Sequence, residues 1–285
     1  MLAPQVKGGN LVASSYAVKD YMTEEILCVG VNDTIGHLMN IFLERDVSRA
    51  FVVDEKDRII GVVTMTDVLR RLVRKKAVWK WRPLSDMVVT RAMTRGPLLS
   101  CEPGSSISEA CRLMTERQVS GLLVLNRDEP MGVFTKTDAA RFYAEHPAGH
   151  STREALSEAV RVSPVTSIAR AADLMLSKGV KCLCVTEGDE LVGVVGLRTL
   201  VFLEKRSKVS VVDTSMGRIS DELGSLKVSE AMDREVTTAS LDGELAEAAR
   251  AMVETGYSGL PVLDSRGNLA GMVTKTGVVR VLGGV

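Results

Sequence analysis

Apolar residues recur along the chain at i, i+3, i+4 and i+7 in four places. They are Ile35, Leu38, Met39 and Phe42; Ile107, Ala110, Cys111 and Met114; Ile168, Ala171, Ala172 and Met175; and Leu245, Ala248, Ala249 and Met252. This spacing marks one face of an α-helix. Each helix is followed by two short β-type runs with a polar turn between them. In the first copy these are Ala50-Phe51-Val52-Val53, the turn Asp54 to Asp57, and Ile59 to Val63. In the fourth they are Leu260 to Leu263, the turn Asp264 to Asn268, and Leu269 to Val273. Turn residues between β-rich runs predict a hairpin.

The second β run of each copy enters another helix through one recurring junction. It reads Gly61-Val62-Val63-Thr64-Met65-Thr66-Asp67, then Gly132-Val133-Phe134-Thr135-Lys136-Thr137-Asp138. The third and fourth copies are altered, to Gly193-Val194-Val195-Gly196-Leu197-Arg198-Thr199 and Gly271-Met272-Val273-Thr274-Lys275-Thr276-Gly277. Four copies of one junction predict four copies of one unit. The unit is strand, helix, strand, strand, helix, an α/β (α+β) arrangement repeated in tandem. After an N-terminal segment, 1–17, the units are expected at 18–75, 86–145, 152–205 and 226–283. One unit alone buries a low fraction of its surface and is marginal. Its sheet needs a cover, so the units should pair sheet to sheet, giving two modules. Pro147 and Gly149 mark the connector from Glu145 to Ser151 as the link between modules. Arg206 to Ser225 is a second long connector, for which the sequence suggests no structure. Four units could close a disc within one chain, or two chains could associate as a homodimer through their helices.

This pattern resembles the cystathionine-β-synthase domain, or CBS domain, in four tandem copies. The junctions carry the resemblance, together with the openings Val18-Lys19-Asp20-Tyr21-Met22-Thr23, Ala92-Met93-Thr94 and the weaker Val228 to Met232, and with Ser120-Gly121-Leu122 and Ser258 to Val262. The layout is similar to the γ regulatory subunit of AMP-activated protein kinase and to stand-alone archaeal CBS proteins. The resemblance implies paired units in pseudo-twofold modules, with two clefts per module that can each take an adenosine nucleotide. It also implies a basic phosphate contact near Arg49.

The residues give the same cleft a chemistry of their own. A helix N-terminus offers free N–H groups and a positive dipole end, which suits phosphate. Thr64, Thr66, Thr135 and Thr137 add hydroxyls beside it, and Arg49 and Lys136 add charge, with Lys181 and Lys275 as counterparts in the other module. Asp67 and Asp138 could accept from both ribose hydroxyls. Ile26, Val47, Pro97 and Val119 are candidate walls for adenine. Equally, Thr-x-x-Asp at a helix start is close to a capping box, and the two roles do not exclude each other. Thr199 and Gly277 replace the carboxylate in the second pair, so the first module is expected to bind and the second to bind weakly or not at all.

Composition narrows the class. The chain is 285 residues long, 45% apolar and 25% charged, with a formal net charge of zero. No global field draws it to nucleic acid or an anionic membrane. No run suggests a membrane span and no signal peptide is read at the start, so the expected location is cytoplasmic. Five cysteines without CxxC spacing indicate neither a disulfide framework nor a zinc site. Cys182 and Cys184 should share one face of a strand. His146 and His150 are spaced for a metal only on a helix, which Pro147 and Gly149 oppose, so no metal site is expected. Nor does the sequence offer a catalytic constellation or a need for a cofactor. The stretch Arg70 to Arg82 holds seven basic residues, no acidic residue, and both tryptophans, Trp79 and Trp81. It could pack locally, dock a partner protein or contact nucleic acid. The expected function is a non-enzymatic sensor of AMP, ADP or ATP that signals to a partner protein. S-adenosylmethionine or methylthioadenosine is an alternative ligand, and a scaffold acting through 70–82 is the alternative class.

Overall fold

The computed structural model describes residues 8–73, 84–96, 98–203 and 225–285. The described residues begin with α1 (Gly8–Ser15). Unit one follows as β1 (Cys28–Gly30), α2 (Ile35–Glu44), β2 (Arg49–Val53), β3 (Ile59–Thr64) and α3 (Met65–Val73). Unit two has β4 (Thr94–Arg95), β5 (Ser100–Cys101), α4 (Ile107–Glu116), β6 (Gly121–Asn126), β7 (Glu129–Thr135) and α5 (Lys136–Glu145). Unit three has β8 (Leu156–Ser157), β9 (Arg161–Val162), α6 (Ile168–Lys178), β10 (Cys182–Glu187), β11 (Glu190–Gly196) and α7 (Leu197–Val201). Unit four has β12 (Ala239–Ser240), α8 (Leu245–Glu254), β13 (Gly259–Leu263), β14 (Leu269–Thr274) and α9 (Lys275–Gly283). The first helix of each unit falls on the four apolar faces, and α2, α4 and α6 are capped by Thr34, Ser106 and Ser167.

Every unit is built on the same three-strand core, a parallel pair followed by an antiparallel hairpin. Cys28 pairs with Phe51, Ser100 with Leu123, Arg161 with Cys184 and Ala239 with Val262. The opening of each unit does not stay with its own sheet. β4, at the start of unit two, is an antiparallel edge strand on β3 of unit one, with Val62 opposite Thr94. In return Thr23, at the start of unit one, bridges Val133 of β7. The second pair repeats the exchange, with Ser157 opposite Met272 and Asp233 bridging Val194. This explains the first glycine of the junction. A Cβ on Gly61 would stand 2.8 Å from the Thr94 carbonyl, and on Gly132 2.6 Å from that of Thr23.

Apolar surfaces then close the molecule on itself. Phe51, Leu123 and Val133 fill the space between the sheets of units one and two, and Cys184, Leu269 and Met272 that between units three and four. Cys182 is half-buried beside them. The helices pair the other way. Leu38, Phe42, Val68 and Leu69 of unit one share a core with Ile168, Met175 and Leu200 of unit three. Ile107, Met114 and Phe142 of unit two share one with Leu245, Met252 and Leu282 of unit four. Each large side chain so buried contributes about 1.5–3 kcal/mol. The four units thus close a disc within one chain. The link between modules is anchored, because buried His150 bonds Tyr143 at 2.8 Å and its carbonyl accepts from Leu245. His146 instead bonds Tyr21 at 2.6 Å, so the two histidines serve different contacts. Among the described residues no helix is long and apolar enough to cross a membrane.

Candidate functional site

The two Asp-bearing junctions are folded alike. Asp67 Oδ2 accepts from the Thr64 N–H at 2.9 Å and from Thr64 Oγ1 at 2.6 Å. Asp138 Oδ2 accepts from the Thr135 N–H at 2.8 Å and from Thr135 Oγ1 at 2.7 Å. Each threonine hydroxyl accepts in turn from the Asp N–H, which is the reciprocal arrangement of a capping box. The second oxygen of each carboxylate meets an arginine one turn on, Arg70 at 2.7 Å and Arg141 at 3.3 Å. Asp138 also accepts from Thr23 Oγ1 at 3.3 Å, across the unit boundary. Both carboxylates are buried, Asp67 to 7% exposure and Asp138 to 1%. An ionised carboxylate has about four acceptor positions. Asp138 therefore has its positions taken, whereas Asp67 keeps one more. Thr66 is half-buried on the first turn of α3.

The cations converge from all four units. Arg49, first residue of β2, crosses to unit two and donates to the carbonyl and hydroxyl of Ser120 at 2.7 and 2.9 Å. A side chain on Gly121 would collide with its guanidinium. Lys136 and Lys275, the first residues of α5 and α9, reach across to each other's helix. Lys136 Nζ donates to Thr276 Oγ1 at 3.0 Å and Lys275 Nζ to Thr137 Oγ1 at 3.3 Å. Lys181 stands just before β10. Burial pulls Arg49 down to about 10, against the attraction of Asp138. Burial, then Arg49, Lys136 and Lys275, pull Lys181 down to about 8. Burial followed by Arg49 also lowers Lys136, and burial lowers Lys275 despite Asp138 and Asp46. Four cations at the centre of a disc, with little carboxylate to neutralise them, form an anion-seeking surface.

The apolar candidates are dispersed. Ile26 lies in the layer between the sheets of units one and two, beside Leu98. Val47 packs on the helical core shared with unit three, and Val119 on that shared with unit four. Pro97 lies outside the described residues, as does the basic stretch beyond Val73, including Trp79 and Trp81. The sequence reading passed over two contributors to the junctions. Thr23 sat in an opening motif whose crossing to the next unit was not legible, and Ser120 gave no sign of receiving Arg49.

The altered junctions differ from each other. In unit four Thr274 Oγ1 still accepts from the Gly277 N–H at 3.1 Å. The place of the carboxylate is filled, because a Cβ on Gly277 would run into the Ala155 carbonyl from the opening of unit three. In unit three Thr199 is buried at the corresponding position, and Gly196 has room around it. Elsewhere in the second module a cavity of about 550 Å³ is lined by Glu158, Ala159, Val160, Arg161, Lys178, Val180 and Ala270. Strand register makes Ala159 and Val180 the counterparts of Ile26 and Val47.

The CBS domain family model matches four stretches, residues 18–74, 86–145, 154–205 and 228–284. The chain belongs to the CBS domain family. Its structure superposes on protein MJ1225 from Methanocaldococcus jannaschii, described as a candidate archaeal homologue of the γ subunit of AMPK. The TM-score is 0.82 at 20% identity, covering 93% of this chain and 99% of that one. An uncharacterized conserved protein from Pyrococcus horikoshii gives 0.65 at 18% identity, covering 94% and 100%. At these identities the likeness is one of fold. In sequence, MJ1225 is 25% identical over 128 residues, 45% of this chain and 43% of MJ1225. Uncharacterized protein MJ1404 from the same organism is 25% identical over 138 residues, 46% of this chain and 33% of MJ1404. The alignments thus span less than half the length of these curated relatives. CBS units one and two, and units three and four, are the paired halves of the disc.

Proposed function

We propose that the protein is a non-enzymatic regulator that binds an adenosine nucleotide, AMP, ADP or ATP, in the cleft of the first CBS pair. The observation that carries this reading is the cation centre. Arg49, Lys136, Lys181 and Lys275 come one from each unit and lie beside the helix starts that hold Asp67 and Asp138. A phosphate there would meet the positive dipole ends of these helices, threonine hydroxyls and fixed positive charge. Ribose hydroxyls would take the remaining acceptor of Asp67, or displace Thr23 or Arg141 from Asp138. Adenine would lie towards Ile26 and Val47 of unit one, or Leu98 and Val119 of unit two. A bound phosphate would compete with the links Lys136–Thr276 and Lys275–Thr137, which join the two pairs. Ligand binding would then shift how the halves of the disc meet, and a partner protein would read that shift. The size of such a shift is limited by the ligand's difference in affinity for the two states.

The test is titration calorimetry of the full chain with AMP, ADP, ATP and S-adenosylmethionine, repeated on a double variant with Asp67→Ala and Asp138→Ala. Binding that disappears in the variant supports the first pair as the site. Binding unchanged in the variant means that the carboxylates are helix caps alone. A methylthioadenosine sensor would leave the cations idle, so Arg49→Ala would then change affinity little.

A further inference from the structure

We propose that Lys181 links occupation of the cation centre to proton uptake, so that a ligand carrying phosphate arrives with a proton and one without phosphate does not. This deepens the phosphate reading above and rests on it. The starting point is a break in the repeat. The carbonyl just before the middle strand accepts from the first helical N–H of each junction, from Met65, Lys136, Leu197 and Lys275 in turn. The residues offering those carbonyls are Ser48, Ser120, Lys181 and Ser258. Three units place a small neutral hydroxyl there, and unit three places a cation.

The side chain of Lys181 is half-buried and has no hydrogen bond or ion pair with any described residue. The charged groups that bear on it are all positive: Arg49 from β2, Lys136 from the start of α5 and Lys275 from the start of α9. The two helix starts add the positive ends of their dipoles. Nearby carboxylates are committed elsewhere. Asp138 is held by Thr135, Thr23 and Arg141, and Asp46 pairs with Arg198 at 3.0 Å. A fourth positive charge at this place is therefore opposed by its surroundings, in line with a group that titrates at about 8. A phosphate dianion reverses the sign of the local field and favours the ammonium form. At pH 8 the phosphate of AMP is already fully ionised, so the incoming proton has to come from solvent and lodge on the lysine.

The measurement is calorimetry of the full chain with AMP at pH 8 in Tris and in HEPES, whose ionisation enthalpies differ. The expected result is uptake of roughly half a proton per AMP bound at the centre. Adenosine should show none. Lys181→Arg carries a permanent charge and should abolish the uptake whatever its effect on affinity. Lys181→Met should weaken AMP more than adenosine. AMP binding with the same enthalpy in both buffers overturns the proposal while leaving the nucleotide reading standing. Uptake that persists in Lys181→Arg also overturns it. Failure of both AMP and ATP to bind the wild-type chain ends the parent reading and this one together.

Discussion

Gly277 occupies the place where units one and two carry a carboxylate, and the structure says what a side chain there would meet. A Cβ would strike the Ala155 carbonyl and stand 3.1 Å from Ala155 Cβ. Ala155 has little freedom to retreat. It ends the short helical turn Thr152–Ala155, and the next two residues are paired with Val273 and Met272 of β14. Two effects then oppose each other in Gly277→Ala. Alanine gains up to about 1 kcal/mol over glycine within a helix. Overpacking against backbone costs about 1–3 kcal/mol. Because the obstacle is a carbonyl rather than the tip of a flexible side chain, the second effect should win by about 1–2 kcal/mol. For a chain of this size that is a fall in Tm of about 2–3 °C. Scanning calorimetry would measure it, with Gly104→Ala as control, since that glycine has open space around it and no positive φ. Gly277→Asp should cost more, and should not create a nucleotide site, because the opening of unit three fills the cleft. A Gly277→Ala protein as stable as the wild type, or more so, would refute the argument.

Two further outcomes follow from the cation centre and the caps. Lys181 has its folded pKa lowered to about 8, so the unfolded chain binds more protons between that value and the ordinary lysine range. Stability should therefore rise with pH through this window, and the cost of the charge is complete below it. Lys181→Met should stabilise the ligand-free protein at pH 7 by about 1–2 kcal/mol, the half-buried position keeping the gain below the full conversion; the advantage should vanish near pH 10 in thermal melts. Asp138→Ala removes the acceptor for the Thr135 N–H, Thr135 Oγ1, Thr23 Oγ1 and Arg141. The lost cap and unsatisfied donors should cost about 2–3 kcal/mol in denaturant unfolding, and Asp67→Ala somewhat less at its more exposed place.

The repeat was legible because two periodicities and one glycine-threonine junction recur together, and local rules govern all three. The four helical faces and the hairpins of units one and four needed nothing beyond side-chain period and turn chemistry. The exchange of opening strands was not legible, since Thr23 and Thr94 read as the start of their own units. Their destination depends on which sheet edge is free in three dimensions. The junction carboxylates were legible as residues, while the threefold engagement of Asp67 and the fourfold engagement of Asp138, with Arg141 and Thr23 added, required the neighbouring turn and the neighbouring unit. Gly277 read as the loss of a ligand group. Its packing role against Ala155 was hidden, because no sequence rule links positions 155 and 277. The cations were visible singly, and only the closed disc brings Arg49, Lys136, Lys181 and Lys275 to one place.

Each unit has its sheet committed to one neighbour and its helices to another. Severing the chain at residues 146–150 would leave each half with its sheets matched and a broad face of apolar helices bare. Such a half has an obvious remedy, which is to find a second copy of itself. A gene encoding only two units could thus assemble the same disc as a homodimer, with two identical halves and a true twofold axis. Joining two such genes would remove that symmetry requirement. Each of the four positions could then change separately, one retaining its carboxylate, another exchanging serine for lysine, a third closing over glycine.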